Sequence, residues 1–186
     1  MMSMPGEVAG VEFKKDEEYI LSRGSRKNIT EVEENIADFG YSFSYNDIDE
    51  KEFYSWGNRI MSLLAVASIF KIEKGNIGDI GRQTVDKSFF SKIKSKYLKS
   101  TKQILTEICQ DWRKTSTIGR LELKEINKKE AVIALYNLDF HPIFCDYFCG
   151  YLAEAVSLSE GVEAKCVEEN CYFKGDCDFH KFVVKW

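Results

Sequence analysis

The sequence predicts an α+β fold in which a four-stranded antiparallel sheet is packed with helices. Apolar residues recur every three or four positions over most of residues 29–112, as they do on the buried face of a helix. From Arg113 the apolar positions recur every second residue, as in a strand. After His141 they again recur every three or four residues, and the last part of the chain returns to a repeat of two. The predicted order is therefore helices, hairpin, helix, hairpin.

The first 28 residues are polar and rich in charge, with glycines at positions 6, 10 and 24. They carry no motif, and we expect a flexible or loosely packed arm with at most one short element over Glu17–Leu21. The remainder, residues 29–186, has the length of one ordinary domain. We expect it to be a single small-molecule-binding domain with a metal site near its C-terminal end.

Two helices are predicted before residue 75. Residues 29–39 have helical spacing, with Asn28 as a cap and Gly40 as the terminator. A second helix is predicted to begin at Asp49 and to continue through Phe70. Its apolar positions repeat as in a helix that faces the core, and they are Phe53, Trp56, Ile60, Leu63, Leu64, Ala67 and Phe70.

Glycines at positions 75, 78 and 81 indicate a turn between helices. A phosphate-binding loop is not supported, because the lysine and the Ser or Thr of that motif are missing. The segment Val85 to Trp112 then predicts one long helix or two abutting helices. Cys109 lies on the apolar face of this segment, where we expect it to pack as a small hydrophobic residue.

The C-terminal third predicts a hairpin, a helix and a second hairpin. Residues 118–126 and 131–136 alternate as paired strands do, and residues 144–158 have helical spacing after His141-Pro142. Residues 162–169 and 178–186 read as strands, joined by a loop with Gly175-Asp176 at its turn.

Composition excludes several classes of protein. The net charge of −4 does not attract nucleic acid, so we expect no nucleic-acid binding by the chain itself. No run approaches the roughly 18 apolar residues that span a bilayer, and the N-terminus lacks the pattern of a secretory signal. We expect a cytoplasmic protein, in which six cysteines are free thiols or metal ligands.

Five of the six cysteines fall within 33 positions, and they are Cys145, Cys149, Cys166, Cys171 and Cys177. Cys145 and Cys149 share one helix face, while Cys171 and Cys177 flank a short loop. Four Cys, His, Asp or Glu donors bind structural zinc and leave no open position for chemistry. The spacing therefore predicts a structural zinc site that includes Cys145, Cys171 and Cys177.

The spacing does not decide which residue is the fourth zinc ligand. The candidates are Glu168, Cys166, Cys149, His180 and His141. Glu168 is favoured because its side chain at the strand end can reach the loop, whereas Cys166 is expected to lie deeper. His180 alternates with apolar residues and is expected in the core. The alternative to metal binding is that all five thiols pack in the core.

The segment from Cys145 to Val184 resembles the C-terminal signature of the 4-vinyl reductase domain family, over about a fifth of the chain. In that signature, a cysteine lies at the start of a helix that contains the dipeptide Gly-Tyr. A Glu-x-x-Cys motif ends the next strand, and a Cys-x-Phe motif begins the last strand after a glycine turn. The matching residues are Cys145, Gly150, Tyr151, Gly161, Glu168, Cys171, Gly175, Cys177 and Phe179.

This resemblance implies a fold shared with trafficking-complex subunits and with the sensor domains of phenol-responsive activators, which often dimerise and hold a small apolar molecule. In those sensors three cysteines and a glutamate bind zinc. The corresponding residues here are Cys145, Glu168, Cys171 and Cys177. The loop between the last two is shorter here, and Cys149 and Cys166 are additional thiols.

We therefore expect a zinc-containing protein that binds a hydrophobic small molecule (a hydrocarbon-binding module), acts as a sensor or carrier, and forms a homodimer. Candidates for the lining of its cavity are Phe53, Trp56, Phe70, Phe89, Phe90, Tyr97, Trp112, Tyr147, Phe148 and Tyr151. The alternatives are a tetrapyrrole vinyl reductase, or its accessory subunit, and a dimeric regulatory subunit. A binding module is favoured over an enzyme because the chain has no dinucleotide motif and only two histidines.

Overall fold

The computed structural model describes residues 5–73, 76–85, 100–139, 141–175 and 177–186. The helices are α1 (Val11–Arg23), α2 (Arg26–Asp38), α3 (Trp56–Ile69), α4 (Gly78–Gln83), α5 (Thr101–Thr115) and α6 (Ile143–Glu160). The strands are β1 (Glu7–Ala9), β2 (Phe53–Ser55), β3 (Arg120–Ile126), β4 (Glu130–Tyr136), β5 (Lys165–Asn170) and β6 (Phe179–Lys185).

The main sheet has four antiparallel strands in the order β3-β4-β6-β5. This confirms the predicted α+β class and the predicted four-stranded sheet. A second sheet of two strands, β1 and β2, was not predicted. Each of its strands has three residues, which is too short to display an alternating pattern in the sequence.

One face of the main sheet is buried beneath α6. Ile133 on β4 lies opposite Phe182 on β6, and both side chains are buried. Phe182 meets Phe148 of α6 edge to face, with 5.3 Å between ring centroids. Because side chains alternate along a strand, this register also turns His180 toward the core.

Helix α4 packs closely against α6 because glycines line their contact. A Cβ atom at Gly150 would lie 1.8 Å from the carbonyl oxygen of Gly78, and one at Gly81 would lie 1.9 Å from that of Tyr147. Gly78 and Gly81 were predicted to form only a turn. They form a short helix whose backbone contacts the backbone of α6 directly.

The N-terminal segment differs from the loose arm that the sequence predicts. It contains β1 and α1, and Phe13 and Ile20 of α1 are fully buried in the main core. These two positions lie seven residues apart on one helix face, and the charged residues between them obscure the pattern.

The start of α3 also differs from its prediction. The helix begins at Trp56 and not near Asp49, because residues 53–55 pair with β1 as a strand. Ser55 caps the helix, and its Oγ accepts a hydrogen bond from the backbone N–H of Gly57 at 3.1 Å. Much of the long helix predicted from Val85 lies outside the described residues, and its last part is α5, capped by Ser100.

The other predicted elements are confirmed to within a few residues: α2, the β3–β4 hairpin, α6, and strands β5 and β6. None of the helices in the described ranges is both long and apolar enough to cross a membrane.

Candidate functional site

A cavity of about 310 Å³ lies among α1, α3, α5 and α6. Six aromatic side chains form one part of its wall, and they are Trp56, Trp112, Phe144, Tyr147, Phe148 and Tyr151. Charged side chains form another part, and they are Glu12, Lys15, Arg59, Glu107, Asp111 and Lys114. Pockets that bind small molecules typically combine a mostly apolar wall with a few polar groups.

The two tryptophans of the wall are held in place by hydrogen bonds to neighbouring protein groups. Trp56 and Trp112 stack at 5.9 Å between ring centroids. The Nε1 of Trp56 donates to Ser116 Oγ at 3.0 Å, and that of Trp112 donates to the carbonyl oxygen of Ile118 at 3.1 Å. Both indoles therefore offer aromatic surface to a ligand.

Arg59 lies beside this wall and is 1% exposed. Its Nη1 pairs with Asp16 Oδ2, and its guanidinium lies 5.1 Å from the centroid of the Tyr147 ring. Asp16 also accepts a hydrogen bond from Ser62 Oγ at 2.7 Å. Arg59 Nη2 has no hydrogen-bond partner among the described residues. A buried donor in this state is a candidate contact for a ligand.

Glu12 and Lys15 form a second ion pair at the cavity, with 2.6 Å between Oε1 and Nζ. Burial acts to raise the pKa of Glu12, but the charges of Lys15 and Arg59 and the hydrogen bond from Lys15 together outweigh it and lower the pKa. Lys114 pairs with Asp111 at 2.7 Å. Each cation that lines the cavity therefore already has a carboxylate partner.

Part of this lining was predicted from the sequence. Of the ten aromatic candidates, five line the cavity, and they are Trp56, Trp112, Tyr147, Phe148 and Tyr151. Phe53 and Phe70 do not line it. Phe89, Phe90 and Tyr97 lie outside the described residues.

Asp16 and Arg59 were missed, although a signal exists. Asp16 follows Phe13 by three positions and precedes Ile20 by four, so it shares their apolar helix face. Arg59 stands in the same relation to Trp56 and Leu63. Opposite charges on the apolar faces of two helices indicate a buried pair.

A separate cluster of donor side chains lies between α6 and the C-terminal hairpin. The donor atoms of Cys145, Glu168, Cys171 and His180 all lie within 4.8 Å of one another. The predicted residue Cys177 is not in this group, and its Sγ donates to the carbonyl oxygen of Phe179 at 2.8 Å.

The cluster is satisfied by its own hydrogen bonds. His180 Nε2 lies 2.7 Å from the carbonyl oxygen of Leu138, and Nδ1 lies 2.7 Å from Glu168 Oε1. Burial acts to raise the pKa of Glu168, but hydrogen bonds from His180, Cys171 and Cys145 outweigh it and lower the pKa. Burial and the Glu168 carboxylate raise the pKa of Cys145. Hydrogen bonds from neutral thiols and from His180 to the Glu168 carboxylate are therefore enough to explain why these side chains lie together.

The remaining candidate ligands lie outside the cluster. Cys149 and Cys166 are half-buried, and the neighbouring Cys149 thiol, together with burial, raises the pKa of Cys166. His141 Nδ1 accepts a hydrogen bond from the backbone N–H of Ile143 at 3.1 Å. Metal binding by Cys145, Glu168, Cys171 and Cys177 stays a prediction.

Comparison with solved structures finds one fold repeatedly. An H-NOX protein from S. oneidensis in the Fe(II)NO ligation state aligns with a TM-score of 0.70 and 11% identity, over 95% of this chain and 98% of that one. The unliganded Fe(II) H-NOX protein from K. algicida gives 0.65 and 12%, over 95% of both chains. A mutant of T. Tengcongensis H-NOX gives 0.62 and 19%, over 94% of both chains.

The chain has the fold of H-NOX proteins. At these identities the likeness establishes the fold alone. No protein-family model matches the sequence, and no curated protein matches it either.

The H-NOX fold corrects four expectations. Membership of the 4-vinyl reductase family is wrong, because the structures that share the fold along nearly the whole chain are H-NOX proteins. The zinc-containing module for a hydrophobic ligand, its classification as a hydrocarbon-binding module and zinc as cofactor are wrong with it. The motif that suggested them covers one helix end and one hairpin, and a buried Cys/Glu/His cluster does not by itself indicate zinc.

Haem is named for an H-NOX structure that shares this fold at 16% identity, which makes the cavity a candidate haem site. Proteins hold haem iron through His, Cys, Met or Tyr. All histidines and cysteines of the chain lie in the described ranges, and none of them lines the cavity. Nor does Met61.

Two tyrosines do line it, but burial raises the pKa of both, to about 12 for Tyr151. Burial thus disfavours the phenolate that would bind iron, and the Tyr147 OH already lies 2.9 Å from Thr84 Oγ1. The described residues do not fit a haem held by an iron–protein bond.

Proposed function

We propose that the chain is a small-molecule-binding domain with the H-NOX fold, and that the cavity among α1, α3, α5 and α6 is its binding site. The observation that carries this proposal is the combination of a cavity of about 310 Å³, a wall of six aromatic rings and an unsatisfied buried donor, Arg59 Nη2. Such combinations are typical of ligand sites.

Haem is not part of the proposal. It is named for structures that share 16% and 14% identity with this chain. The cavity offers π surfaces and hydrogen-bond donors, and the described residues that line it include no His, Cys or Met to hold iron. A ligand held by stacking and hydrogen bonds fits this lining.

The test places a larger side chain on one wall of the cavity. Ile108 on α5 lines the cavity, whereas its neighbour Gln110 is exposed and does not. We expect calorimetry to detect binding of carbostyril, a two-ring lactam, to the wild-type protein. The Ile108→Phe variant should bind it at least about tenfold more weakly, because the new ring occupies the ligand volume.

The Gln110→Phe variant is the matched control, since it adds the same ring on the solvent side of the same helix. It should bind carbostyril like the wild type. The proposal fails if no two-ring aromatic compound binds, or if both variants bind as the wild type does.

We also propose that the protein works as a homodimer in the cytoplasm. The six free cysteines support a reducing compartment. Exposed apolar side chains such as Phe39 and Val167 support self-association. Light scattering of the purified chain tests the dimer, and a monomeric mass at micromolar concentration would reject it.

A further inference from the structure

We infer that the ligand of this cavity is a neutral two-ring aromatic molecule with a ring carbonyl, and that Arg59 donates a hydrogen bond to that carbonyl oxygen. The inference rests on the proposed function and specifies the class of ligand. Three features of the cavity lead to it. One buried hydrogen-bond donor has no acceptor, the cations of the lining are paired with carboxylates, and the volume and aromatic walls suit two rings.

The unused donor is Arg59 Nη2. It belongs to a side chain that is 1% exposed and lines the cavity, and no acceptor within the described ranges reaches it. Nη1 of the same guanidinium is already paired with Asp16. A buried N–H without an acceptor is unfavourable, so an acceptor oxygen on the ligand would be favoured here.

The balance of charge favours a neutral acceptor over an anion. Arg59 pairs with Asp16, Lys15 with Glu12, and Lys114 with Asp111. A ligand carboxylate would therefore enter a site with no uncompensated positive charge, and its desolvation would not be repaid. A carbonyl oxygen accepts the same hydrogen bond without adding charge.

The volume favours two fused rings. An apolar cavity of about 150 Å³ holds one benzene molecule, and the cavity here is about 310 Å³. Its walls include Trp112 and Phe148, whose ring centroids lie 5.8 Å apart at an angle of 66°. Rings in this arrangement offer both faces and edges to a flat ligand.

The first experiment compares three probes on the wild-type protein by calorimetry: carbostyril, naphthalene and naphthoate. They share two fused rings and differ in carrying a neutral carbonyl, no polar group or a carboxylate. We expect carbostyril to bind at least about tenfold more tightly than naphthalene, the effect of one hydrogen bond from a charged donor. It should also bind more tightly than naphthoate, because the desolvation of the naphthoate carboxylate is not repaid.

The second experiment assigns the effect to Arg59. The double variant Asp16→Leu/Arg59→Met removes both members of the buried pair and leaves no unpaired charge. We expect it to lose the preference for carbostyril over naphthalene. The control is Glu31→Leu/Lys27→Met, which likewise replaces an acid by Leu and a cation by Met, in a surface pair on α2, and should keep the preference.

A third measurement does not depend on the folding of any variant. Infrared spectra of carbostyril labelled with carbon-13 at its carbonyl should show a lower carbonyl stretching frequency in the wild-type complex than in an apolar solvent. An unshifted frequency would overturn the hydrogen bond from Arg59.

The outcomes separate the inference from the proposed function. If carbostyril and naphthalene bind with equal affinity, or naphthoate binds most tightly, the inference is overturned while ligand binding in the cavity stands. If none of the three probes binds, the proposed function fails and the inference fails with it.

Discussion

Arg59 on α3 and Asp16 on α1 form an ion pair in which the two side chains are 1% and 0% exposed. Ser62 Oγ donates to the same carboxylate at 2.7 Å, and Tyr45 OH lies 2.8 Å from that Ser62 oxygen. The pair joins the N-terminal helix to the core and places a guanidinium at the cavity. It therefore contributes both to the fold and to the candidate site.

Replacing one residue of this ion pair should strongly lower the stability of the protein. We expect Asp16→Ala to lower the free energy of unfolding by about 3 to 5 kcal/mol, because it leaves the Arg59 charge buried without a partner. Urea denaturation measures this change. The double variant Asp16→Leu/Arg59→Met should be much closer to the wild type. A loss below about 1 kcal/mol for Asp16→Ala would contradict the buried pair, since exposed pairs such as Lys27–Glu31 contribute that little.

The close contact between α4 and α6 predicts a strong effect at Gly150. A Cβ atom there would overlap the carbonyl oxygen of Gly78, so Gly150→Ala should destabilise the protein by about 3 kcal/mol or more. Thermal or urea unfolding provides the measurement. Gly161 serves for comparison, because it has a φ of +75° and no neighbour within 4 Å of its added Cβ. Gly161→Ala should cost about 1 to 2 kcal/mol, from backbone strain alone. A gain in stability at Gly150, as for alanine in an ordinary helix, would refute the contact.

The ion pair between Glu12 and Lys15 predicts a dependence of stability on pH. The pKa of Glu12 is lowered in the folded state, so its contribution is present above its usual pKa of 4.5 and is lost as the pH falls through the lower folded value. Glu12→Gln should therefore flatten the loss of stability between roughly pH 5 and pH 3. Urea unfolding at several pH values measures the slope. Glu163→Gln, at an exposed position, should leave the slope unchanged, and an unchanged slope in Glu12→Gln would contradict the prediction.

The cavity lining predicts weak interaction with haem. Titration of the protein with haemin should give no stoichiometric complex with the absorption spectrum of an axially ligated iron, because the described residues that line the cavity include no His, Cys or Met. His141→Ala and His180→Ala should leave the titration unchanged. A saturable complex with one haem per chain that is lost in either variant would show that this interpretation of the cavity is mistaken.

The sequence predicted those parts of the fold that follow from local periodicity. Helices α2 and α6 and the two hairpins of the main sheet have strong patterns and were predicted to within a few residues. Strands β1 and β2 have three residues each, and their pairing joins segments that lie more than 40 positions apart in the chain. Local patterns contain no information about such a contact.

The candidate site was predicted only in part, for a related reason. Aromatic residues such as Trp112 and Phe148 could be proposed as lining, but core and cavity positions have the same spacing along a helix. The grouped cysteines suggested a metal site and a resemblance to the 4-vinyl reductase family, and that resemblance was wrong. Charged residues on apolar helix faces, Asp16 and Arg59, were the stronger indication of where the polar part of the site lies.

The most direct test of ligand binding in this fold is a crystal structure of the protein grown with carbostyril. We expect the two-ring ligand among Trp112, Phe148 and Tyr147, with its carbonyl oxygen within hydrogen-bonding distance of Arg59 Nη2. A cavity without ligand density at saturating carbostyril, or the ligand bound elsewhere on the surface, would contradict the account.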